Sequence, residues 1–395
     1  MTDLARILAL WRELEDAGAH YALATIVAVQ GPSYRKPGAL MLLSADGRRA
    51  GMVSGGCLEA QVASRAWWLT ANGPTIQRYS TADEDGERPY GSGCGGVIFL
   101  LLERRTTAGP LLAALNQAFD RRVPLAVAAV LEGRQLGRRE FAGLEPRLPK
   151  ILPSRTETAR NSNDSLQDLA DRSLASRKSI EDEVAADETH ARVWADYRPA
   201  RPSLGIFGAG DDAQPLLRLA KELGWFVSVA DGRSHLSTRE RFPLADDLSI
   251  LSIKDLPGAH LPGARFDQSL TAFGNLQSED AAVVMTHSFE QDAKILACLL
   301  ALDVPPAYIG VLGPQRRTLE LLDESARLLN VPASGIAAQV ESWLLQLHAP
   351  TGLDLGAESP ESIALSVLAE IQKFRTSATA LPLRKVRAAV ESIAG

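Results

Sequence analysis

The stretch Leu204-Gly205-Ile206-Phe207-Gly208-Ala209-Gly210-Asp211-Asp212-Ala213 constrains this chain more than any other part of it. A short apolar run, two glycines and a small residue are what a strand, a phosphate-approaching turn and a closely packed helix require. Gly208 suits the tight turn, Gly210 lets backbone approach an anion, and Ala213 lets the helix pack on the strand, with the helix N-terminus facing the negative charge. Pro215 fits only if the helix starts near Asp212, where a missing N–H costs nothing. Asp231 closes the next apolar run, 21 residues beyond Gly210, where an acid accepts from a ribose hydroxyl. These features predict nucleotide or phosphate binding by Gly208, Gly210, Ala213 and Asp231; the competing reading is that the glycines only permit a turn.

The segments around the loop set the fold class. Apolar β runs at 204–207, 226–230, 281–285 and 308–310 alternate with helical patterns at 213–223 and 292–302, which predicts a Rossmann-like, doubly wound parallel sheet. A last helix, 359–375, starts with Pro360 after the N-cap Ser359. The first half reads differently, as a mixed α/β domain. An amphipathic helix with apolar residues from Leu4 to Leu14 ends near Gly18, and a strand follows at 21–29. The loop Gly31-Pro32-Ser33-Tyr34-Arg35-Lys36-Pro37-Gly38 and a second run at 39–43 then make a hairpin with a cationic tip. Gly51 to Cys57 leads into a helix at 58–69, and Gly91-Ser92-Gly93-Cys94-Gly95-Gly96 leads into a strand at 97–102. Between about 154 and 189 polar residues dominate, as in Asn161-Ser162-Asn163-Asp164-Ser165, and the stretch reads as a solvated insertion or linker, partly helical at most. A strand at 192–197 closes this domain, and Arg198-Pro199-Ala200-Arg201-Pro202 forms a stiff junction. The expected domains are therefore 1–197 and 198–395.

A length of 395 residues suits two such domains. The net charge of −6 gives no excess basic field for nucleic-acid phosphates, so a general nucleic-acid binder is excluded. The N-terminal residues carry an acid and lack the apolar core of a secretory signal, and no apolar run approaches a membrane span; the sequence predicts a cytoplasmic protein. Three cysteines cannot build a disulfide framework, which agrees with a reducing compartment.

Several residues could carry chemistry. Cys57 follows two glycines and precedes a helix, where backbone N–H groups and the helix dipole favour a thiolate that is nucleophilic, binds a soft metal or accepts sulfur. Cys94 lies among four glycines. For both, a small buried apolar cysteine is the alternative. Their separation lacks the short pairing of a zinc site. Cys298 sits in an apolar helical run and reads as core. His287 ends a strand of the parallel sheet and is a candidate for acid–base work or phosphate contact, or else a cap of the next helix. Arg233, Arg316 and Arg317 follow strands and suit an anion clamp, or are ordinary exposed charges. Arg35 and Lys36 on the hairpin tip suit a phosphorylated ligand or an acidic partner, or are merely solvated.

Together, 31–38, Ser54-Gly55-Gly56-Cys57-Leu58-Glu59, 93–96, 207–213, Met285-Thr286-His287, 308–313 and Gly352-Leu353-Asp354-Leu355-Gly356-Ala357-Glu358 resemble the xanthine dehydrogenase accessory proteins of the XdhC/CoxI type. The motifs occur in the same order over nearly the whole chain, and 154–189 lies outside the resemblance. What the resemblance implies is a molybdenum-cofactor chaperone, a homodimer, that binds molybdopterin or its dinucleotide form. It would shield the cofactor while a cysteine desulfurase helps exchange an oxo ligand for sulfur, then deliver it to a xanthine dehydrogenase-type molybdenum hydroxylase. Cys57 and Cys94 would then contact molybdenum or sulfur. Two other classes stay open: an NAD(P)-dependent oxidoreductase in which Asp231 selects the ribose and His287 moves a proton, and a protein-interaction adaptor with a vestigial nucleotide site.

Overall fold

A computed structural model describes residues 2–56, 58–80, 96–144, 157–186, 189–252, 256 and 276–386. The chain divides into two compact units, Met1–Arg201 and Pro202–Gly395.

In the first unit, helix α1 (Asp3–Asp16) is capped by the Thr2 side chain, and β1 (Tyr21–Gln30) follows. β1 pairs antiparallel with β2 (Leu40–Ser44), and β2 with β3 (Arg49–Gly51), so the hairpin forms as its sequence predicts. Helix α2 (Glu59–Leu69), β4 (Thr75–Ser80), β5 (Val97–Arg104) and α3 (Arg105–Arg121) complete a five-stranded sheet in the order β3-β2-β1-β5-β4. Both faces of β1 are covered, which is why its sequence is a nearly unbroken apolar run. Tyr21 and Leu23 pack with Ile7, Leu8 and Leu14 of α1 and Leu112 and Leu115 of α3. Ala22, Ala24 and Ile26 pack on the other face with Leu58, Val62 and Ala66. A second sheet, in the order β7-β6-β9-β8, is built from β6 (Leu125–Val130), β7 (Arg139–Ala142), β8 (Ile180–Ala186) and β9 (Thr189–Arg198). Val27 and Leu101 of the first sheet meet Ala129 and Trp194 of the second.

The stretch expected to be a solvated insertion or linker, partly helical, packs in large part on this domain. Helix α4 (Glu157–Ser176) buries Leu166, Leu169 and Ala170 against Ala126, Ala128, Val193 and Ala195, and β8 pairs with β9 along its length. Three apolar side chains at i, i+3 and i+4 make a stripe narrow enough to be lost in a polar composition, yet wide enough to cover an alanine-rich sheet face.

The second unit is a parallel sheet in the order β12-β11-β10-β13-β14-β15. Its strands are β10 (Ser203–Phe207), β11 (Phe226–Asp231), β12 (Asp247–Ile250), β13 (Ala281–Val284), β14 (Tyr308–Val311) and β15 (Leu347–His348). Counted from β10 the order is 3-2-1-4-5-6, the doubly wound arrangement that opens a ligand crevice where the order reverses, between β10 and β13. Helices α5 (Ala213–Glu222) and α9 (Pro360–Thr376) cover one face through Leu216, Leu217, Val367 and Ile371. Helices α6 (Phe289–Leu300) and α7 (Gln315–Leu328) cover the other through Ile295, Leu296 and Leu321, and Leu322 of α7 packs with Trp343 of α8 (Ile336–Leu344). Ser359 caps α9 with Pro360 in the first turn, as its sequence predicts. No described helix is long and apolar enough to cross a membrane.

If α4 belongs to the core, Leu169→Ala lowers the unfolding free energy by about 2–5 kcal/mol, while the exposed neighbour Asp168 replaced by Ala changes it little. Urea denaturation of both variants checks this; equal midpoints would return the segment to a linker.

Candidate functional site

In the second unit the loop after β10 is shaped from behind. Gly208 has φ +138°, and a β-carbon there would lie 2.5 Å from the Met285 carbonyl oxygen, so only glycine lets the β10 loop pass the end of β13. Asp231, fully buried at the end of β11, holds that loop. Its Oδ2 accepts from the Ala209 N–H at 2.7 Å and from Arg233 Nη2 at 2.8 Å. Its Oδ1 accepts from the Arg233 N–H at 2.8 Å and Nε at 3.0 Å. Burial works to raise this carboxyl, but the Arg233 side chain and the two amides outweigh it and hold it below the ordinary carboxylate value. Both oxygens are therefore committed, which corrects the expectation that Asp231 receives a ribose hydroxyl: it braces the glycine loop. Arg233 is no free anion clamp either, since Nη2 also donates to the Thr286 carbonyl at 2.9 Å.

What the loop leaves open is backbone. No described residue accepts from the amides of Gly210, Asp211 or Asp212, which lead into α5. Donors at a helix N-terminus suit an anion. Across the crevice His287, at the end of β13, adopts φ +62° and lies within 2.8 Å (Nε2) of Asp212 Oδ2. A histidine in this backbone region is uncommon and costs roughly 1–3 kcal/mol, a strain typical of ligand sites. The cap of α6 is Ser288, so His287 is not the cap. A second buried carboxylate supports this corner: Asp292 accepts from the Thr286 N–H at 3.0 Å, the Thr286 hydroxyl at 2.6 Å and Arg317 Nη2 at 2.7 Å. Arg316, the expected clamp, is 91% exposed, and among the described residues it bonds to Glu320 one turn along its own helix. Arg317 is the inward member of the pair. Further along, Glu370 accepts from the Gly352 N–H at 2.7 Å and the Tyr308 hydroxyl at 2.6 Å, fixing the start of the 352–358 motif.

In the first unit the loop 31–38 is the meeting point. A β-carbon on Gly96 would lie 2.0 Å from the Pro32 carbonyl oxygen, and one on Gly55 would lie 3.8 Å from Cγ of Tyr34. Gly96, just before β5, is thus packed tightly on this loop, and Gly55, in the turn before α2, lies near its Tyr34. Arg35 is not a free cation: it is paired with Asp3 at the start of α1. Arg198 Nη2 donates to the Gly38 carbonyl at 2.6 Å and pairs with Asp196 at 2.7 Å. Cys57 and Cys94 lie outside the described residues. Residues 53–54 are held by Glu59, which is 3% exposed. Its Oε1 accepts from the amides of Val53 (3.1 Å) and Ser54 (2.8 Å), and its Oε2 from the Ser54 hydroxyl (2.5 Å). Ser54 Oγ in turn accepts from the Gly56 and Leu58 amides at 3.2 and 3.1 Å. Two amides expected to favour a thiolate are therefore occupied by Ser54. Cys298 is buried in the core, where burial pushes its thiol up to about 12.

Comparison with known proteins gives a family. The model for the XdhC Rossmann domain matches residues 204–371, and the model for the XdhC and CoxI family matches 14–80. A relative from Bacillus subtilis, named as a probable xanthine dehydrogenase subunit, is 32% identical over 372 residues, spanning 93% of this chain and 96% of the relative. The chain belongs to the XdhC and CoxI family. A molybdenum cofactor insertion chaperone of Escherichia coli, PaoD, is 25% identical over 91% of this chain and 85% of its own. A crystal structure described as a xanthine dehydrogenase from Bacillus halodurans superposes with a TM-score of 0.64 at 25% identity, covering 96% of this chain and 97% of that one. Both XdhC models fall on loops described above, one on the crevice and one on the hairpin and turn. The sequence of this XdhC chain does not by itself mark Asp212, Asp292, Ser54 or Glu59 as functional. The available signal is a carboxylate two to six residues after a motif turn, a spacing that lets it fold back onto the turn's own amides.

Glu59, Asp231 and Glu370 are all held below the ordinary carboxylate value: burial opposes this, and hydrogen bonds from Ser54, Arg233 and Tyr308 respectively lead the outweighing causes. Groups with a depressed folded pKa stabilise above their unfolded value of about 4, and that stability is lost as pH falls through the folded value. The unfolding free energy should fall with acid below about pH 4. Asp231→Asn should lower stability by roughly 3–5 kcal/mol at neutral pH and flatten that acid slope. Unfolding curves at several pH values check both; an unchanged slope in the variant would contradict the brace.

Proposed function

We propose that this chain carries the molybdenum cofactor, shields it and hands it to a xanthine dehydrogenase-type molybdenum hydroxylase. The observation that carries the reading is that loop 31–38 packs tightly on Gly96 and lies near Gly55, two glycines close in sequence to the cysteines. In the sequence Cys57 follows Gly56 directly and Cys94 precedes Gly96 by two residues. Cysteine thiols are soft donors of the kind that suits molybdenum or its sulfur ligand. In the second unit, taken by itself, the open amides of 210–212 suit a phosphate group, and His287, 2.8 Å from Asp212, suits proton traffic there. The names borne by two relatives, a molybdenum cofactor insertion chaperone and a probable component of xanthine dehydrogenase, support the same cargo and destination.

The finer points of the proposal follow that chemistry. The cargo is molybdopterin or its dinucleotide, a cysteine desulfurase supplies the sulfur, and the carrier works in the cytoplasm as a homodimer. An NAD(P)-dependent oxidoreductase finds less support, because the carboxylate that would select its ribose is filled by Ala209 and Arg233.

The test is reconstitution. Apo-hydroxylase supplied with free cofactor and a sulfide source should gain activity faster and to a higher plateau when this chain is present, and Cys57→Ala should lose that gain. Identical activation with and without the chain would overturn the reading.

A further inference from the structure

Thr25 places a hydroxyl in the middle of β1, whose neighbouring positions Ala22, Leu23, Ala24, Ile26 and Val27 are apolar and buried. It is only 4% exposed. Valine has nearly the same shape and no hydroxyl to desolvate, so a strand that needed only to pack would carry valine here. The buried Thr25 Oγ1 has no hydrogen-bond partner among the described residues, and neither has the buried Nε of Arg198 on β9. Both side chains line one cavity of about 20 Å³, together with Val27, Arg139, Trp194 and Asp196, where the two sheets of the first unit meet. Leaving a buried donor unmade is costly, and two on one cavity wall point to an occupant that joins them.

We propose that this cavity is a binding site for a single internal water molecule, which accepts from Arg198 Nε and bonds to the Thr25 hydroxyl. Size limits the occupant: one water needs roughly 10–15 Å³, so the space admits water and no organic ligand. Charge selects water over a small anion. Arg198 pairs with Asp196 at 2.7 Å and Arg139 pairs with Glu103, so each guanidinium already has its carboxylate. A chloride there would shed its hydration and meet no net opposite charge. Water donates as well as accepts, and the Asp196 carboxylate on the same wall can only accept. The consequence reaches loop 31–38. Arg198 donates through Nη2 to the Gly38 carbonyl at 2.6 Å. Gly38 has φ +91°, and a β-carbon on it would lie 3.0 Å from Asp196 Oδ1, so the base of the loop rests on the Arg198–Asp196 pair. A guanidinium satisfied at Nε as well as Nη2 is held in one orientation, and the water thereby steadies the loop. The proposal does not depend on what the loop carries.

The experiment uses the full-length chain and the variants Thr25→Val and Thr25→Ser. Crystals diffracting well enough to show ordered water are compared with and without a sodium bromide soak. Urea unfolding and hydrogen–deuterium exchange of the peptide containing 31–38 are recorded alongside. The wild type should show one water-sized density peak within hydrogen-bond distance of both Thr25 Oγ1 and Arg198 Nε, with no bromine anomalous signal. Thr25→Ser, which keeps the hydroxyl, should keep the peak. Thr25→Val should lose it, unfold with an equilibrium constant raised roughly tenfold because Nε is left unpaired, and exchange faster in 31–38. A dry cavity reverses the sign, since deleting an unsatisfied hydroxyl then stabilises the fold. No density peak in the wild type, a bromide peak in its place, or Thr25→Val as stable as the wild type would overturn the proposal. Unchanged exchange in 31–38 would remove its claim on the loop.

Discussion

Buried and half-buried carboxylates that gather backbone amides are the interaction on which this molecule's motif loops depend. Asp231 takes the Ala209 and Arg233 amides, Asp292 takes Thr286, Glu59 takes Val53 and Ser54, and Glu370 takes Gly352. Glycine-rich loops have high chain entropy and few side chains to pack, so burial cannot hold them. A charged acceptor with several donors can, because such hydrogen bonds are roughly twice as strong as neutral ones. In each case the loop itself is left with its free edge toward solvent.

That division between brace and edge explains the placement of the candidate chemistry. In the parallel sheet the reversal of strand order between β10 and β13 opens a crevice. Asp231 and Asp292 then spend their charges behind it, leaving the amides of 210–212 and the His287–Asp212 pair at its mouth. The cations that sequence position marks as clamps mostly serve the frame. Arg233 is tied to Asp231, Arg35 to Asp3 and Arg317 to Asp292, and Arg316 stands out in solvent.

Much of the fold is legible in the sequence because it follows from period and punctuation. The alternation from Leu204 to Gly310, the hairpin around 31–38 and the capped helix after Ser359 each rest on local signals, and each forms. The segment 157–176 escapes such reading because its described core contact is a narrow stripe, Leu166, Leu169 and Ala170 with Leu174 beside them, facing a sheet of alanines and valines whose demand for cover is invisible in the helix's own sequence. At the site, local signals locate the loops and misassign several roles within them. Asp231 has the spacing of a ribose ligand, but whether a carboxylate faces a ligand or its own loop is decided by burial and by competing donors. Those depend on tertiary neighbours such as Thr286, far along the chain. Arg316 and Arg317 are adjacent in sequence and a helical step of about 100° apart, so only the packing of α7 on α6 tells which one turns inward.

The central claim, that these braced loops hold a molybdenum-bearing pterin, is tested most directly by stoichiometry. The full-length protein, purified without oxygen from a host that makes the cofactor, is analysed for metal by mass spectrometry and for pterin by fluorescence after acid oxidation. The account predicts molybdenum and pterin together in equal amounts, approaching one of each per chain, with both reduced in Gly210→Asp. Protein that carries neither, from a host whose other molybdoenzymes are fully loaded, would contradict it.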